Sequence, residues 1–439
     1  MRFYDREKEI EELRSAATLS KTVAQFTVVT GRRRIGKTRL IREAYKENLM
    51  LYFFVSRKSE KELCQGFKKE IEQKLNIPIL GEISFFHEIF EFLLKLSVTE
   101  NFTVFIDEFQ EFYRVNPSVY SDMQRLWDEY QDKSKINLVV CGSIYNMMTK
   151  IFKDNKEPLY NRENRFMLIK PFKIGVLKEI LKDYNSKYTP EDLLALYTFT
   201  GGVAKYVQIL MEQGATSKEE MIKGIINPNS SFMGEGKALL VEEFGKEYGM
   251  YFSILSAISS GKTSRSEIEN AVGKEVGGYL TRLEVEYEII SKINPIFEKN
   301  HQKNIRYIIK DNFLQFWFRF IFRYQYIIEI DAYDALQQLV ERDYETFSGK
   351  ILEKYFRQLM TESGEVTRIG SWWDRKGHNE IDIVAENELN KSLIIAEVKR
   401  NIKNYDEREV KEKSQVFFNS VGHFKDYNII YKGFSMENM

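Results

Sequence analysis

Four short apolar runs punctuate the first third of the chain: "FTVVT" at 26–30, "LMLYFFV" at 49–55, "FTVFID" at 102–107 and "NLVVCGS" at 137–143. Each is rich in β-branched or aromatic residues and apolar at consecutive positions, as strands buried on both faces must be. Stretches with apolar residues three and four apart lie between them, "TRLIREAYKE" from Thr38 among them. That alternation predicts an α/β fold with a mainly parallel sheet. From about Pro171 to Val241 the period is helical throughout. From Met250 the pattern is helix, turn, helix, helix, then two strands, "IISKIN" and "IRYIIKD", around a loop. "SRSEIENAVG" opens its helix with a capping-box spacing at Ser264 and Glu267. Near the end, "IDIVAE" and "SLIIAEVK" flank the turn-rich "ENELNK" and predict a second hairpin.

The most apolar run, "FLQFWFRFIFRYQYIIEI" at 313–330, is interrupted by Arg319 and Arg323. A membrane span needs about 20 mostly apolar residues with few charges, so this run predicts a buried aromatic helix in an inter-domain core. The N-terminus is charged and helical in pattern, unlike a signal peptide, which places the chain in the cytoplasm by default. At 439 residues the chain exceeds one ordinary domain, and 43% hydrophobic with 30% charged residues describes a globular protein with real cores. Lys plus Arg equals Asp plus Glu at 65 each, so any affinity for nucleic acid must come from a local patch. Cys64 and Cys141 are too far apart in sequence to suggest a zinc site.

Chemistry enters at "GRRRIGKT", Gly31 to Thr38, which meets G-x-x-x-x-G-K-[ST] in full between a strand and a helix. Gly31 and Gly36 let backbone N–H groups turn inward on phosphate oxygens. Lys37 would neutralise the β- and γ-phosphates and Thr38 would bind Mg²⁺, at a helix N-terminus whose dipole favours anions. Arg34 and Arg39, within and just after the loop, join the nucleotide-binding set. "FTVFIDEF" ends its strand in Asp107, suited to hold Mg²⁺ through water, and Glu108, suited to orient the attacking water. Ser143, at the end of the next strand, is placed either to sense the γ-phosphate or to cap the following helix. ATP and Mg²⁺ are therefore the expected ligands.

The segments "FYDREKEIEEL", "TGRRRIGKTRLI", "VFIDEFQ", "PLYNRENRFMLIKPF" and "TGGVAKYV" resemble, in that order, the archaeal ATPase family, related to the AAA+ and STAND ATPases. The resemblance implies that Arg6 lies near the adenine, that Arg162 or Arg165 faces the phosphates as a sensor or finger, and that the helices after Pro171 form a lid over the nucleotide. Either arginine could instead form a surface ion pair. Asn161 stands where members usually carry Gly. The order after Met250 is that of a winged helix. Glu284, Glu286 and Glu288 make its third helix acidic, which favours packing or protein contact over base reading.

In the C-terminal hairpin, a turn centred near Leu389 and Asn390 sets Asp382 opposite Glu397, with Lys399 on the same face as Glu397. Clustered carboxylates call for a cation, and their hard oxygens suit Mg²⁺ or Mn²⁺. Asp382 and Glu397 would be ligands, and Lys399 would activate water or stabilise charge on a phosphoryl group. The D-x14-E-x-K spacing resembles the PD-(D/E)xK nuclease superfamily, whose likeness implies that Glu353 on the preceding helix orients a metal-bound water. Glu380, a competing acid, is expected on the opposite side of its strand. "SWWDRKGHNE" and "VKRNIKNY" add basic and aromatic groups for phosphates or bases, and His378 is expected at the surface.

The combination resembles archaeal ATPases carrying the domain of unknown function 234. The expected organisation is a P-loop ATPase core over 1–168, a helical lid over 169–245, a winged helix over 246–311 and a nuclease-like α/β domain over 312–439. The expected activity is ATP-driven DNA processing or defence, with DNA as partner and no membrane. The alternative is a STAND-like, self-associating switch whose C-terminal domain binds DNA or a partner without cutting.

Overall fold

The computed structural model describes the chain apart from residues 144, 245–247, 299–303 and 423, and apart from the side chains of Tyr145, Glu242 and Glu243. It divides into two compact units, Tyr4–Pro171 and Phe172–Met439 with Met1–Phe3. The sequence-expected segments after 171 all fall within the second.

The first unit is built on five parallel strands: β1 (Gln25–Thr30), β2 (Met50–Phe54), β3 (Thr103–Asp107), β4 (Asn137–Gly142) and β5 (Arg165–Leu168), in the order β2-β3-β4-β1-β5. Every residue of β1, β3 and β4 is buried, which is why these segments are unbroken apolar runs. Phe26, Trp127 and Phe152 pack on one side of β1, with ring centroids 5.1 and 5.5 Å from Phe26. The helix Glu60–Leu75 starts at a capping box in which Ser59 and Glu62 exchange hydrogen bonds.

In the second unit, helices run from Ile174 to Phe244, the helix Pro190–Thr200 opening at a Thr189–Asp192 capping box with proline in its first turn. The helices Tyr248–Ser259, Arg265–Val272 and Gly277–Thr281 follow. The last of them widens into a π turn over Arg282–Glu286 before the antiparallel pair β6 (Ile290–Ile293) and β7 (Arg306–Ile309). Part of the loop expected between these strands, 299–303, lies outside the described residues. Ser264 and Glu267 form the capping box their spacing announced.

The aromatic run departs from expectation. It forms the short helix Asn312–Phe316, a π turn over Trp317–Phe322 and the separate turn Gln325–Ile328. Phe316, Trp317, Phe318, Phe320 and Ile321 are buried, while Tyr326 and Ile330 are exposed. Only its first half carries a continuous aromatic face, and that half packs within the second unit, Phe316 on Phe199 and Phe318 on Phe252.

A 31-residue helix, Tyr333–Ser363, leads into a mixed sheet of β8 (Arg368–Trp373), β9 (Glu380–Asn387), β10 (Ser392–Val398) and β11 (Asn428–Phe434), in the order β11-β10-β9-β8. The long helix sets Phe356 on Phe434, and the crossover helix Glu407–Val421 sets Phe417 against Trp372. Just past β10, Arg400 donates to Ser348 of the long helix and pairs with Glu191 of the helix Pro190–Thr200. Among the described residues no helix is long and apolar enough to cross a membrane.

Candidate functional site

The loop after β1 turns at the carboxyl edge of the first sheet, where open α/β folds place ligands. Gly31 takes φ 144°, and a Cβ there would come within 2.5 Å of the Ile169 carbonyl oxygen, so no other residue fits. Arg34 and Gly36 also have positive φ, 69° and 96°, winding the loop tightly ahead of the helix Lys37–Ala44. Lys37 is buried, and its Nζ donates to the carbonyls of Gly31 and Arg32 at 2.8 and 3.0 Å. Burial pushes the ammonium's pKa down, while the Glu108 and Asp107 carboxylates oppose that shift. Arg34 and Arg39 stand exposed around the loop.

Asp107 closes the other side. Its Oδ2 accepts from the Thr38 hydroxyl at 2.9 Å and from the Tyr52 hydroxyl at 3.1 Å, and its Oδ1 accepts from the Glu108 N–H at 3.0 Å. Tyr52 escaped the sequence reading because only strand order brings β2 beside β3. Its hydroxyl is pushed up to about 12 by burial and by Asp107, and Arg42 lies over its ring at 4.5 Å. Glu108 adopts a left-handed φ of 53°, a strained setting for a non-glycine residue and one frequent at functional sites. Its Oε2 accepts from Ser143 at 2.9 Å and from Gln110 at 2.5 Å. Thr38, Asp107, Glu108 and Ser143 thus form one connected network beside Lys37.

The arginines divide. Arg6, buried at φ 82°, donates to the Lys170 carbonyl, next to Ile169, whose N–H reaches Thr30; it therefore stands at the loop's edge of the sheet. Arg162 and Arg165 do not face the loop within their own chain. The parallel register sets Arg165 beside Thr27, and its guanidinium reaches Gln25 at the start of β1 at 2.7 Å. Arg162 lies farther toward that amino edge, locked on Asp128 at 3.1 and 3.0 Å. At about 3.3 Å per residue, the length of β1 separates both from the phosphate cradle.

Comparison with known proteins agrees with this geometry. Residues 3–210 match the family described as an ATPase domain predominantly from Archaea. Residues 317–412 match archaeal and bacterial proteins of unknown function, the domain of unknown function 234. An uncharacterised protein of Methanocaldococcus jannaschii, MJECL04, is 30% identical over 419 residues, covering 93% of this chain and 90% of that protein. The chain belongs to the archaeal ATPase family. Among solved structures, the Walker-type ATPase PABY2304 of Pyrococcus abyssi superposes with a TM-score of 0.55 at 19% identity, over 72% of this chain and 96% of that one. The ORC2 protein of Aeropyrum pernix, solved in ADPNP and ADP complexes, gives 0.52 at 15% identity over 77% and 95%. Both likenesses concern the fold.

This archaeal ATPase carries a second polar cluster in its other unit. Ala396 pairs with Ile383 across β9 and β10, so Glu397 follows opposite Asp382, and the Val398 N–H donates to Asp382 Oδ2 at 2.8 Å. Lys399 Nζ reaches Glu397 Oε2 at 3.0 Å, and Lys413 of the crossover helix reaches Oε1 at the same distance. Lys413 was not singled out from sequence, where its spacing from Glu409 marks only a solvated helix face. Glu353 is buried beside Lys350 at 3.0 Å and Arg357 at 3.7 Å. Burial raises its carboxyl above the usual range despite both cations.

Glu380 corrects its expectation. Residues two apart on a strand share a face, and Glu380 joins the same side as Asp382, bound to Arg306 at 2.9 and 3.1 Å and near Lys350 at 3.4 Å. His378 is exposed. Among the described residues no three His, Cys, Asp or Glu side chains are set to hold one metal ion. Lys399 and Lys413 balance Glu397. Burial, then Glu353 and Glu397, lift Asp382 from 3.8 to about 7.

That shift fixes a pH dependence. The folded chain holds a proton that the unfolded chain releases above pH 3.8, so the stability it contributes is complete below that pH. It declines as pH rises and is lost once pH passes about 7. Asp382→Asn keeps an acceptor for the Val398 N–H without ionising. Its melting temperature is expected to fall less than wild type between pH 5 and 8 in calorimetry; an unchanged slope would remove Asp382 as the cause.

Proposed function

We propose that the first unit binds and hydrolyses ATP with Mg²⁺ at the loop Gly31–Thr38. The observation that carries this reading is the shared Asp107 carboxylate, which joins the Thr38 hydroxyl and the strained Glu108 into one network beside a buried lysine. Thr38 and Asp107 supply the hard oxygen donors Mg²⁺ prefers, and the ion would offset charge on the β- and γ-phosphates. Lys37 exchanges its hold on the Gly31 and Arg32 carbonyls for phosphate oxygens. Glu108 orients the attacking water once Ser143 and Gln110 release it, and Ser143 then reports the γ-phosphate. Arg6 lies toward the adenine, with Arg34 and Arg39 along the polyphosphate.

In the second unit, the helices and hairpin of 248–309 act as a winged helix serving packing or protein contact. The β9–β10 hairpin acts as a metal-dependent DNA nuclease, with Asp382 and Glu397 as ligands for Mg²⁺ or Mn²⁺, Glu353 orienting water and Lys399 stabilising the phosphoryl transition state. The juxtaposition of Asp382, Glu397 and Lys399 supports this. A second reading, a nucleotide-controlled switch that cuts nothing, draws on Lys399 and Lys413 occupying both oxygens of Glu397.

Plasmid and short linear or branched DNA, incubated with Mg²⁺ or Mn²⁺ with and without ATP, separate the two. The nuclease reading expects cleavage that Lys399→Ala lowers about 100-fold or more with ATP turnover unchanged. Intact DNA in the wild-type reaction while ATP is hydrolysed would leave the switch.

A further inference from the structure

A cavity of about 660 Å³ opens within the second unit, between the helix end Ile258–Gly261, the β7 strand, the long helix and the β8–β9 edge. This volume is in the range that takes a small organic ligand. Five cationic side chains line it: Arg306, Arg319, Lys350, Lys354 and Arg357. Against them stand three carboxylates, Asp343, Glu353 and Glu380. The lining therefore holds two more positive than negative side chains even when every acid is ionised.

The pairing is uneven as well. Glu380 is divided between Arg306 and Lys350, and Glu353 between Lys350 and Arg357. Asp343 holds Arg342 at 2.7 Å, and Arg319 only at 3.5 Å. Among the described residues Arg319's one ion pair is that long contact to Asp343, and the side chain is 21% exposed, so an anionic oxygen in the cavity can take up the guanidinium at its accessible atoms.

The remaining walls suit a flat apolar body. Phe347, Ile293 and Ile308 are partly exposed and supply apolar surface, and Tyr307 adds a ring. The Trp373 ring lies under the Arg306 guanidinium at 4.2 Å, giving a planar, cationic face of the kind on which bases stack.

We propose that this cavity binds a phosphorylated nucleoside, its phosphate at Arg319 and its base against Phe347 and the Arg306 guanidinium. The site is separate from the phosphate loop, and it shares Glu353 and Glu380 with the acidic cluster at the β9–β10 hairpin. The shared chemistry is a nucleoside monophosphate, supplied either as a free nucleotide or as the phosphorylated end of a strand.

The test uses full-length Lys37→Ala protein, titrated by calorimetry with AMP, which lacks the β- and γ-phosphates the loop lysine reads. One saturable event is expected, weakened about tenfold or more by Arg319→Gln, weaker still at high salt, and weaker with adenosine than with AMP. Should Arg319→Gln fail to fold, Ser260→Trp decides, because Ser260 lines the cavity from an exposed position and the indole would fill it. Tighter binding of a 5′-phosphorylated oligonucleotide than of AMP would identify a strand end as the source; equal or weaker binding would identify the free nucleotide. Absence of saturable AMP and oligonucleotide binding, or binding indifferent to both Arg319→Gln and Ser260→Trp, would overturn the proposal.

Discussion

Lys37→Ala is expected to lower ATP turnover by about 10³-fold, the scale seen when a preorganised group facing developing charge is removed. The size follows from where the ammonium sits. Lys37 is buried, so its charge acts through a medium less polarisable than water, and burial has already depressed its pKa. It is also the residue that gathers the loop, through the Gly31 and Arg32 carbonyls. Truncation leaves those carbonyls without their donor, at about 1–3 kcal/mol if they stay dry. A modest drop in melting temperature should therefore accompany the lost turnover. Phosphate release and fluorescent-nucleotide binding, measured beside calorimetry, separate the effects. A folded Lys37→Ala protein turning over ATP within tenfold of wild type would show that the loop is not the hydrolytic site.

Glu108→Gln should have the second largest effect, about 10²–10⁴-fold on turnover with nucleotide affinity nearly intact. The amide oxygen still accepts from Ser143 and Gln110, and the left-handed backbone is no more strained by glutamine than by glutamate. What disappears is the carboxylate that aligns water. The variant should therefore retain bound ATP through gel filtration while wild type releases ADP. Near-normal hydrolysis in Glu108→Gln would place the base elsewhere. Joint loss of binding and turnover would make Glu108 a structural support of Asp107.

The first sheet was largely legible because a parallel strand buried on both faces writes its burial directly into sequence. β1, β3 and β4 are such strands, while β2, at the sheet edge, buries only alternate residues and is legible from its apolar composition. β5 was not anticipated: it is only four residues long, and its apolar Phe166 to Leu168 are half-buried or exposed. β8 and β11 escaped because they too are mostly half-exposed. Spacing placed Asp382 against Glu397, because antiparallel register follows once the turn is located. Tyr52 and Lys413 could not be found that way, because each meets its carboxylate through tertiary packing that no local spacing records, whereas Gln110 bonds Glu108 from only two residues away. Arg162 and Arg165 show the converse. Their family resemblance carried a role, but strand direction decides which edge of the sheet they occupy, and they lie at the amino edge.

The Arg400 contacts have a mechanical consequence. One guanidinium grips Ser348 on the long helix and Glu191 on the helix Pro190–Thr200, directly after Lys399. The end of β10 is therefore riveted to two layers at once. If the Pro190–Thr200 helix shifts, it must drag the strand end along or shear an ion pair. As long as the ion pair holds, displacement in the helical layer arrives at Lys399 as a pull along the backbone, so Arg400 is where such motion would be passed to the Lys399–Glu397 pair.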